Sequence, residues 1–476
     1  LKSEPFTPVL RAQNILTATG GVLIRGEPTG PFYGFSTDSR QITPGSLFIP
    51  LKGERYDGHD FLVAALRGGA AGYLIQKDSE AKQPSWDNGH TVILVEDTLR
   101  ALGDIAHCWR KNFTASIIAI TGSSGKTTTK EMMAGIVRLT KNVIKAQGNF
   151  NNLVGVPLTL LTLTDQHEVM ILEMGTNKRG EIERLTRMAE PDVGAITNIG
   201  PAHLEGLKSL DGVKEEKYDL FRNMASSGVA IMNMDDESIR TSAHIWQGKR
   251  ITFGLGEDTD VAAEDIRKSG KWGVVFTLRI NETRQELHLS TTGKHNIYNA
   301  LAAAASSWAL GIEPSVICHG LTAFKPLPGR MEIRQLKNGA FIINDTYNAN
   351  PASVCEALKT LNDLRGNHRS TVILGDMLEL GDRAGEMHEG IGSLMADTGV
   401  DMIFLRGRFS RATATGALKS NLPESRIIFF DTPTNIIPYL KSTVKTGDWI
   451  LVKGSRMMKM EEVVWTIIET FGLETA

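Results

Sequence analysis

The stretch Ser116-Ile-Ile-Ala-Ile-Thr-Gly-Ser-Ser-Gly-Lys-Thr-Thr-Thr129 decides the fold. Ser116–Ile120 is apolar and rich in β-branched residues, the pattern of a buried strand. Gly122 and Gly125 let the chain turn tightly and aim N–H groups at phosphate oxygens. Beyond Lys126, residues Met132, Met133, Ile136, Val137 and Thr140 fall on one face of a helix. Strand, glycine turn and helix together define a phosphate loop. The helix start adds about half a positive charge. Lys126 is expected on the β- and γ-phosphates of ATP, and the Thr127 hydroxyl on Mg²⁺. The common form of the loop places four residues between its glycines. Here Ser123 and Ser124 alone separate them, so the loop is a shortened variant. A Gly-Ser turn capping a helix would look alike locally. The flanking strand and helix carry the assignment.

The chain of 476 residues has 41% hydrophobic and 22% charged residues and a net charge of −2, ordinary for a soluble globular protein. No basic excess points to nucleic acid as a partner. Cys108, Cys318 and Cys355 share no metal-like spacing, and each reads as a small buried hydrophobe in a reducing compartment. No signal segment opens the sequence. No run reaches the roughly 18 apolar residues of a membrane span. A cytoplasmic location is expected.

Working outward from the loop, three blocks separate. Residues 1–112 are rich in turns, with a short apolar run, Ser46-Leu-Phe-Ile-Pro-Leu51, and a helical stretch near Phe61–Arg67. Residues 113–328 contain the loop and further strand candidates at Val169–Glu173, Gly194–Ile199 and Val229–Asn233. Phe324-Lys-Pro-Leu-Pro-Gly-Arg330 reads as a linker. Residues 329–476 alternate strands (Phe341–Asn344, Thr371–Leu374, Met402–Leu405, Ile427–Phe430, Trp449–Val452) with helices such as Ala352–Leu364 and Glu386–Thr398. That alternation predicts a mainly parallel, doubly wound sheet. The fold class is therefore α/β in three domains: a small mixed α/β N-terminal domain, a central P-loop ATPase domain and a C-terminal Rossmann-like domain.

Several segments, in order along the chain, resemble the Mur ligases, which build the peptide of bacterial peptidoglycan. They are Thr37-Asp-Ser-Arg40, the loop Gly122–Thr128, Gly148-Asn-Phe-Asn-Asn-Leu-Val-Gly-Val-Pro157 and Glu173-Met-Gly175. Further along come Asn198-Ile-Gly-Pro-Ala-His-Leu-Glu205, Gly293-Lys-His-Asn-Ile-Tyr-Asn-Ala300 and Gly329-Arg-Met331. Asp345-Thr-Tyr-Asn-Ala-Asn-Pro351 and Leu374-Gly-Asp-Met-Leu-Glu-Leu-Gly381 look like the family member that joins D-alanyl-D-alanine to UDP-N-acetylmuramoyl-tripeptide. The Asp-Asn-Pro-Arg motif of the diaminopimelate-adding sibling is not found. The resemblance implies a monomer that uses ATP and two Mg²⁺ ions. ATP would phosphorylate the tripeptide carboxylate, and the dipeptide amine would displace phosphate from the acyl phosphate.

The resemblance also implies roles for particular residues. Gly122, Ser123, Ser124, Gly125, Lys126, Thr127 and Thr128 would bind ATP. Asn296 would take adenine, although an Asn capping its helix is as good physically. Arg330 would contact the γ-phosphate and Asp345 the ribose. Both lie beyond the linker, so a hinge near Pro326–Gly329 and domain closure are expected. Glu173, at the end of an apolar strand, suits Mg²⁺. His203 is a second metal ligand or a structural cap. Lys217 is either one more charge on a solvated helix or a carbamate that holds the second ion, which requires a depressed pKa. Lys214 competes for that role. Lys126, Lys217 and His203 form the implied catalytic set. Ser36, Asp38, Ser39 and Arg40 resemble the uridine-nucleotide site, with an Asx-type turn as the alternative. Asn348, Asn350 and the Lys453-Gly-Ser-Arg456 turn are expected near the peptide ends, with Asp376 and Glu379 as partners of the dipeptide amine. Two other readings stay open: a different Mur or folylpolyglutamate synthase-like ligase, and a P-loop regulatory NTPase.

Overall fold

The computed structural model describes residues 9–474 apart from 54, 85–88 and 271. The expected first and third blocks extend to 1–8 and 475–476, which lie outside the described residues. Three large sheets follow one another along the chain. The first has the order Val22–Arg25, Thr91–Val95, Gly72–Gln76, Leu47–Phe48, Phe35–Ser36, parallel except for its first pair.

The central sheet has nine strands. Ser116–Thr121 lies between Val169–Glu173 and Val193–Ile196, with all three parallel. From Ser116–Thr121 the chain runs to the edge strand Val143–Lys145, returns through Val169–Glu173 and then crosses to Val193–Ile196 on the other side, so the carboxyl end of Ser116–Thr121 lies at a switch point where α/β sheets bind ligands. The phosphate loop starts there. Val229–Asn233 and Lys249–Gly254 extend the parallel part. Val261–Ser269, Gly273–Ile280 and Thr283–Leu289 then add an antiparallel meander. Sequence pattern alone does not reveal this meander: its outer face carries Glu264, Arg267, Arg284 and Glu286 among apolar residues. A half-solvated strand has that alternation, and it was overlooked for want of a continuous apolar run.

The third sheet has the order Glu332–Gln335, Phe341–Asp345, Trp449–Lys453, Ser370–Gly375, Met402–Arg406, Ile427–Phe429, antiparallel only at its first pair. Its helices include Pro351–Arg365 and Ala384–Asp397. The doubly wound expectation holds, with strand ends within two residues of those predicted. Within the apolar run Ser46–Leu51 only Leu47–Phe48 is strand, and Pro50 has no N–H with which to extend the ladder. Two local expectations need correction. The strand expected to reach Ile199 ends at Ile196, where the chain turns toward the phosphate loop. The helix after the loop ends at Val137, leaving Thr140 exposed in a turn, while Met132, Met133, Ile136 and Val137 are fully buried.

The first and central sheets share one apolar core, in which Leu102, Trp109 and Phe113 join Val156, Leu160 and Met170. The third sheet has its own cores on its two faces, one around Ile343, Val372 and Leu451, the other around Ile342, Ile373 and Val463. Cys318 is buried, Cys108 and Cys355 are half-buried, and all three are free.

Candidate active site

The strand Ser116–Thr121 delivers the loop to the switch point, and the helix Lys126–Val137 carries it away. Gly122 has φ 153° and Gly125 φ 80°. A Cβ at Gly122 would strike the Thr197 hydroxyl, and one at Gly125 the Asn299 carboxamide, so both positions require glycine. The neighbouring strand's exit residues shape the loop. Ser123 N–H donates to Asn198 O (3.0 Å) and Ser124 N–H to Asn198 Oδ1 (3.0 Å). Ser123 Oγ donates to Gly200 O (2.8 Å), and Thr197 Oγ1 donates to Ser124 O (2.7 Å). The expected roles of Ser123 and Ser124 are thereby revised: their amides build the loop. The helical N–H groups of the first turn, which lack intrahelical partners, are the ones left for an anion.

Lys126 folds back over the loop and donates to Gly122 O (2.6 Å). Thr127 Oγ1 donates to Glu173 Oε2 (2.7 Å), and Asn151 Nδ2 donates to Glu173 Oε1 (2.9 Å). Glu173 is 4% exposed, so its carboxylate is dry and held at both oxygens. Asn151 sits on the Gly148–Asn152 loop, and a buried lysine, Lys130, supports that loop by donating to Ala146 O (2.8 Å) and Gly148 O (3.5 Å). Burial lowers the Lys130 pKa against the pull of Glu173 and Glu131. The Gly148–Pro157 motif does not by itself single out Asn151, and Lys130 lies outside every motif. Its place in the first turns of a phosphate-loop helix, on the face of Met133 and Val137, is the sequence signal that marks it.

The helix Leu210–Asn223 settles which lysine faces inward. Lys217 is 1% exposed, in register with Val213 and Phe221, whereas Lys214 is half-exposed. Among the described residues no hydrogen bond reaches the Lys217 amine. Burial, reinforced by the Lys126 charge, pushes it well below the usual lysine value. Lys126 is itself lowered by burial, opposed by Glu173 and Glu379. Glu216, the next residue, is spent on structure, accepting from Gly180 N (2.7 Å), Ile182 N (2.8 Å) and Thr176 Oγ1 (3.0 Å).

Residues of the third domain close the site. Arg330 Nη2 donates to Thr127 Oγ1 (2.8 Å), its guanidinium lying 3.9 Å from the Tyr347 ring centroid. Asn350 caps the helix Pro351–Arg365 and donates through Nδ2 to Ser123 O (3.1 Å). His203 Nδ1 pairs with Glu379 Oε2 at 2.6 Å across the interface. Both residues have positive φ, 54° and 63°, a strained state for non-glycine residues that clusters at functional sites. The His203 partner lowers the Glu379 pKa, against its desolvation. His203 starts the helix Leu204–Leu207 but makes no side-chain cap bond. Ser123, Lys126, His203, Asn348, Glu379 and Arg456 are among the residues around a cleft of about 130 Å³.

Other expected residues are engaged elsewhere. Asp345 accepts from Lys453 Nζ (2.5 Å) and from Met331 N–H (3.1 Å). Lys453 also donates to Asn348 O (3.0 Å), and Asn348 Oδ1 accepts from Arg456 N–H (3.3 Å). Asn296 is neither cap nor free edge. The cap position is Gly293, while Asn296 Nδ2 donates to Thr291 Oγ1 (3.0 Å) and Thr292 O (2.7 Å), and its Oδ1 accepts from Asn299 (3.1 Å). Its neighbour His295 has a buried Nδ1 without a partner and a pKa lowered by burial. Asp376 is corrected: it is 4% exposed, and its oxygens accept Arg408 N–H (2.7 Å) and Phe409 N–H (3.1 Å), so it pins a turn and offers no free carboxylate to an amine. In the first domain the Asx-type turn is realised. Asp38 accepts Arg40 N–H (3.0 Å) and pairs with its guanidinium (2.7 Å), Ser36 Oγ donates to Asp38 O (2.9 Å), and Ser39 begins the turn. The bond to Arg40 lowers the Asp38 pKa to about 2.

A phosphate loop at a switch point, completed by a guanidinium from a following domain, defines an ATP-dependent ligase of the Mur type. Three family models match in order: the Mur ligase family catalytic domain over residues 31–110, the Mur ligase middle domain over 120–307, and the Mur ligase glutamate ligase domain over 329–456. The chain belongs to the Mur ligase family. It is 37% identical to the UDP-N-acetylmuramoyl-tripeptide--D-alanyl-D-alanine ligase of Bacillus subtilis (strain 168), over 94% of this chain and 97% of that one. The MurF crystal structure from Acinetobacter baumannii superposes with a TM-score of 0.87 at 32% identity, covering 97% and 99% of the two chains. MurF ligase from Thermotoga maritima in complex with ADP gives 0.81 at 28% identity, covering 92% and 97%.

Proposed function

We propose that this chain joins D-alanyl-D-alanine to UDP-N-acetylmuramoyl-tripeptide at the expense of ATP, in peptidoglycan synthesis. The observation that carries the reading is the meeting of Lys126, Thr127 and Glu173 with Arg330, Asn350 and Glu379 from another domain. A ligase has to bring a phosphorylated carboxylate and an amine together, and a site divided between two domains does so when they close.

A free carboxylate resists acylation because oxide is a poor leaving group. Transfer of the γ-phosphoryl group to the tripeptide carboxylate gives an acyl phosphate and ADP. The amine of the dipeptide adds to the acyl carbon and loses a proton. The tetrahedral intermediate then expels phosphate to leave the amide. Phosphoryl transfer depends on position and charge neutralisation. Lys126 and the first-turn amides orient the phosphates, Arg330 leaves Thr127 for the γ-phosphate, and Glu379 holds the incoming ammonium. Asn296, Asp345 and the unpartnered His295 lie at the nucleoside end. Ser36, Asp38, Ser39 and Arg40 hold the uridine nucleotide, and Asn348 the peptide end.

Mg²⁺ fits the donors. Thr127 Oγ1 and Glu173 Oε2 are hard oxygens 2.7 Å apart on rigid elements. Mg²⁺ characteristically keeps waters and binds phosphate oxygens beside one or two protein ligands. Mg²⁺ would supply charge neutralisation, held by Thr127 and Glu173, with a second ion on His203 and the Lys217 carbamate. Among the described residues no helix is long and apolar enough to cross a membrane. We place the chain in the cytoplasm as a monomer, since one chain supplies both halves of the site.

The test is ADP release with ATP, UDP-N-acetylmuramoyl-tripeptide and D-Ala-D-Ala, omitting each in turn. Release that requires all three supports the reading. Release without the dipeptide would make the chain a regulatory NTPase, and acceptance of a single amino acid would make it a sibling ligase.

A further inference from the structure

The loop that carries Glu379, residues 376–380, is held by a side chain that no reading of the reaction uses. His388 lies in the helix Ala384–Asp397 and is 1% exposed. Its Nδ1 donates to Ala384 O (2.6 Å), so its Nε2 carries the lone pair that accepts Met377 N–H (2.9 Å). The tautomer is fixed by the partners. The ring stacks on Phe409 at 4.7 Å between centroids and 21° between planes. Phe409 is tied to the same loop, because its N–H donates to Asp376. On the other side, Leu378 N–H donates to Ser455 Oγ (2.9 Å), and Ser455 N–H donates to Asp376 O (3.0 Å). Two consecutive amides, Met377 and Leu378, are thus clamped from opposite directions, and the next residue is Glu379 at positive φ.

We infer that His388 is a positioning residue for the incoming amine substrate: by accepting the Met377 amide it sets the backbone from which Glu379 reaches the His203 and Lys126 side of the cleft. The inference rests on the reading of Glu379 as the ammonium partner. The physical logic is local. Met377 N–H is buried, and without an acceptor it carries a desolvation penalty that a shift of the loop would relieve. The loop has few ways to move, and moving it displaces Glu379. A displacement of about 1 Å at a reacting centre is enough to cost about a hundredfold in rate. Burial also keeps His388 neutral, with a pKa below the usual histidine value, and the charged group facing it is Asp376 at 4.0 Å.

The experiment compares His388→Gln with His388→Asn in the full chain. Glutamine offers a carboxamide oxygen to Met377 and an amide N–H to Ala384, whereas asparagine is too short to bridge both. We expect H388N to raise KM for D-Ala-D-Ala about tenfold and lower kcat, with KM for ATP within about twofold of wild type. H388Q should return both within about threefold. Equal dipeptide KM in wild type and H388N, or H388Q no better than H388N at matched Tm, overturns the inference. Wild-type protein that needs no dipeptide for ADP release overturns the functional reading instead, so the two failures are told apart.

Discussion

Against the first domain, the central domain packs side chains into one shared core. Trp109 sits among Phe35 and Phe113, with ring centroids 5.9 and 5.4 Å away, and its indole N–H donates to Leu163 O (3.2 Å). Against the third domain it offers mostly hydrogen bonds: Arg330 to Thr127, Asn350 to Ser123, His203 to Glu379, and Lys268 Nζ to Asp363 O at 2.8 Å. Apolar contacts there include the Trp272 ring, 5.4 Å from Phe341 and 6.4 Å from Trp449, and Met387 packed against Leu204, Leu207 and Val213. An apolar core cannot be parted without exposing it to water. Polar contacts exchange for water or ligand at little net cost. The difference is the one expected of a scaffold made by the first two domains and a third domain that closes on it as a jaw, the motion that the hinge at Pro326–Gly329 would allow. Such closure would also account for a cleft of about 130 Å³, well below the roughly 300–1,000 Å³ of ligand pockets.

The largest effect should come from the phosphate loop itself, the fixed part that the jaw closes on. Lys126→Ala removes the charge proposed to meet the β- and γ-phosphates. ADP formation should fall by about 10³-fold or more while Tm changes little, because burial of that amine opposes its charged state. A drop of less than about tenfold would remove the loop from the mechanism. Trp109→Ala attacks the scaffold interface and should cost about 3–5 kcal/mol of stability in chemical denaturation. If the shared core is continuous, the first and central domains lose it together in one transition. A separate early transition of the first domain would break the comparison.

Arg330→Ala attacks the jaw. It should lower kcat by about a hundredfold with a small change in stability, since a half-buried polar contact is replaced by water. Small-angle scattering sharpens the same point. Wild type should contract with an ATP analogue and the uridine substrate, and R330A should contract less. Profiles unchanged by ligands would sink the hinge at Pro326–Gly329.

The phosphate loop was legible in the sequence because its signals are local. A strand, two glycines and a helix specify the loop within fourteen consecutive residues, Ser116–Thr129. The third sheet announced itself by alternation. The jaw contacts were not legible, because tertiary docking alone sets them: His203 and Glu379 are 176 residues apart, and Arg330 and Thr127 203. Resemblance named those residues but could not say whom each one touches. Asp376 shows the limit. Its place in Gly-Asp-Met-Leu-Glu suggests chemistry, yet the turn at Arg408–Phe409 claims its oxygens. His388 lacks even a suggestive neighbour, and its role depends on an amide eleven residues back.

The smallest effect separates two lysines that both belong to the fixed side. Lys217 has no hydrogen-bond partner among the described residues, and Lys126 acts on it as a like charge. Its amine titrates below the ordinary 10.5 in the folded chain. Between that lowered value and 10.5 the unfolded chain holds a proton that the folded chain lacks, so Lys217 makes stability rise with pH across that window. The neutral amine is also the form whose lone pair attacks CO₂, releasing a proton, and the carbamate would place an anion beside Lys126. At a fixed CO₂ concentration, activity should therefore rise severalfold over CO₂-depleted buffer, with half-saturation at less CO₂ as pH rises. Protein supplied with ¹³C-bicarbonate should show a carbamate carbon signal that Lys217→Met lacks and Lys214→Met keeps. A signal lost in the Lys214 variant would move the modification one helical turn, to a half-exposed side chain that burial does not prepare for it. No signal in wild type, with activity indifferent to CO₂, would leave Lys217 an unmodified buried amine and remove it from the proposed hold on a second ion.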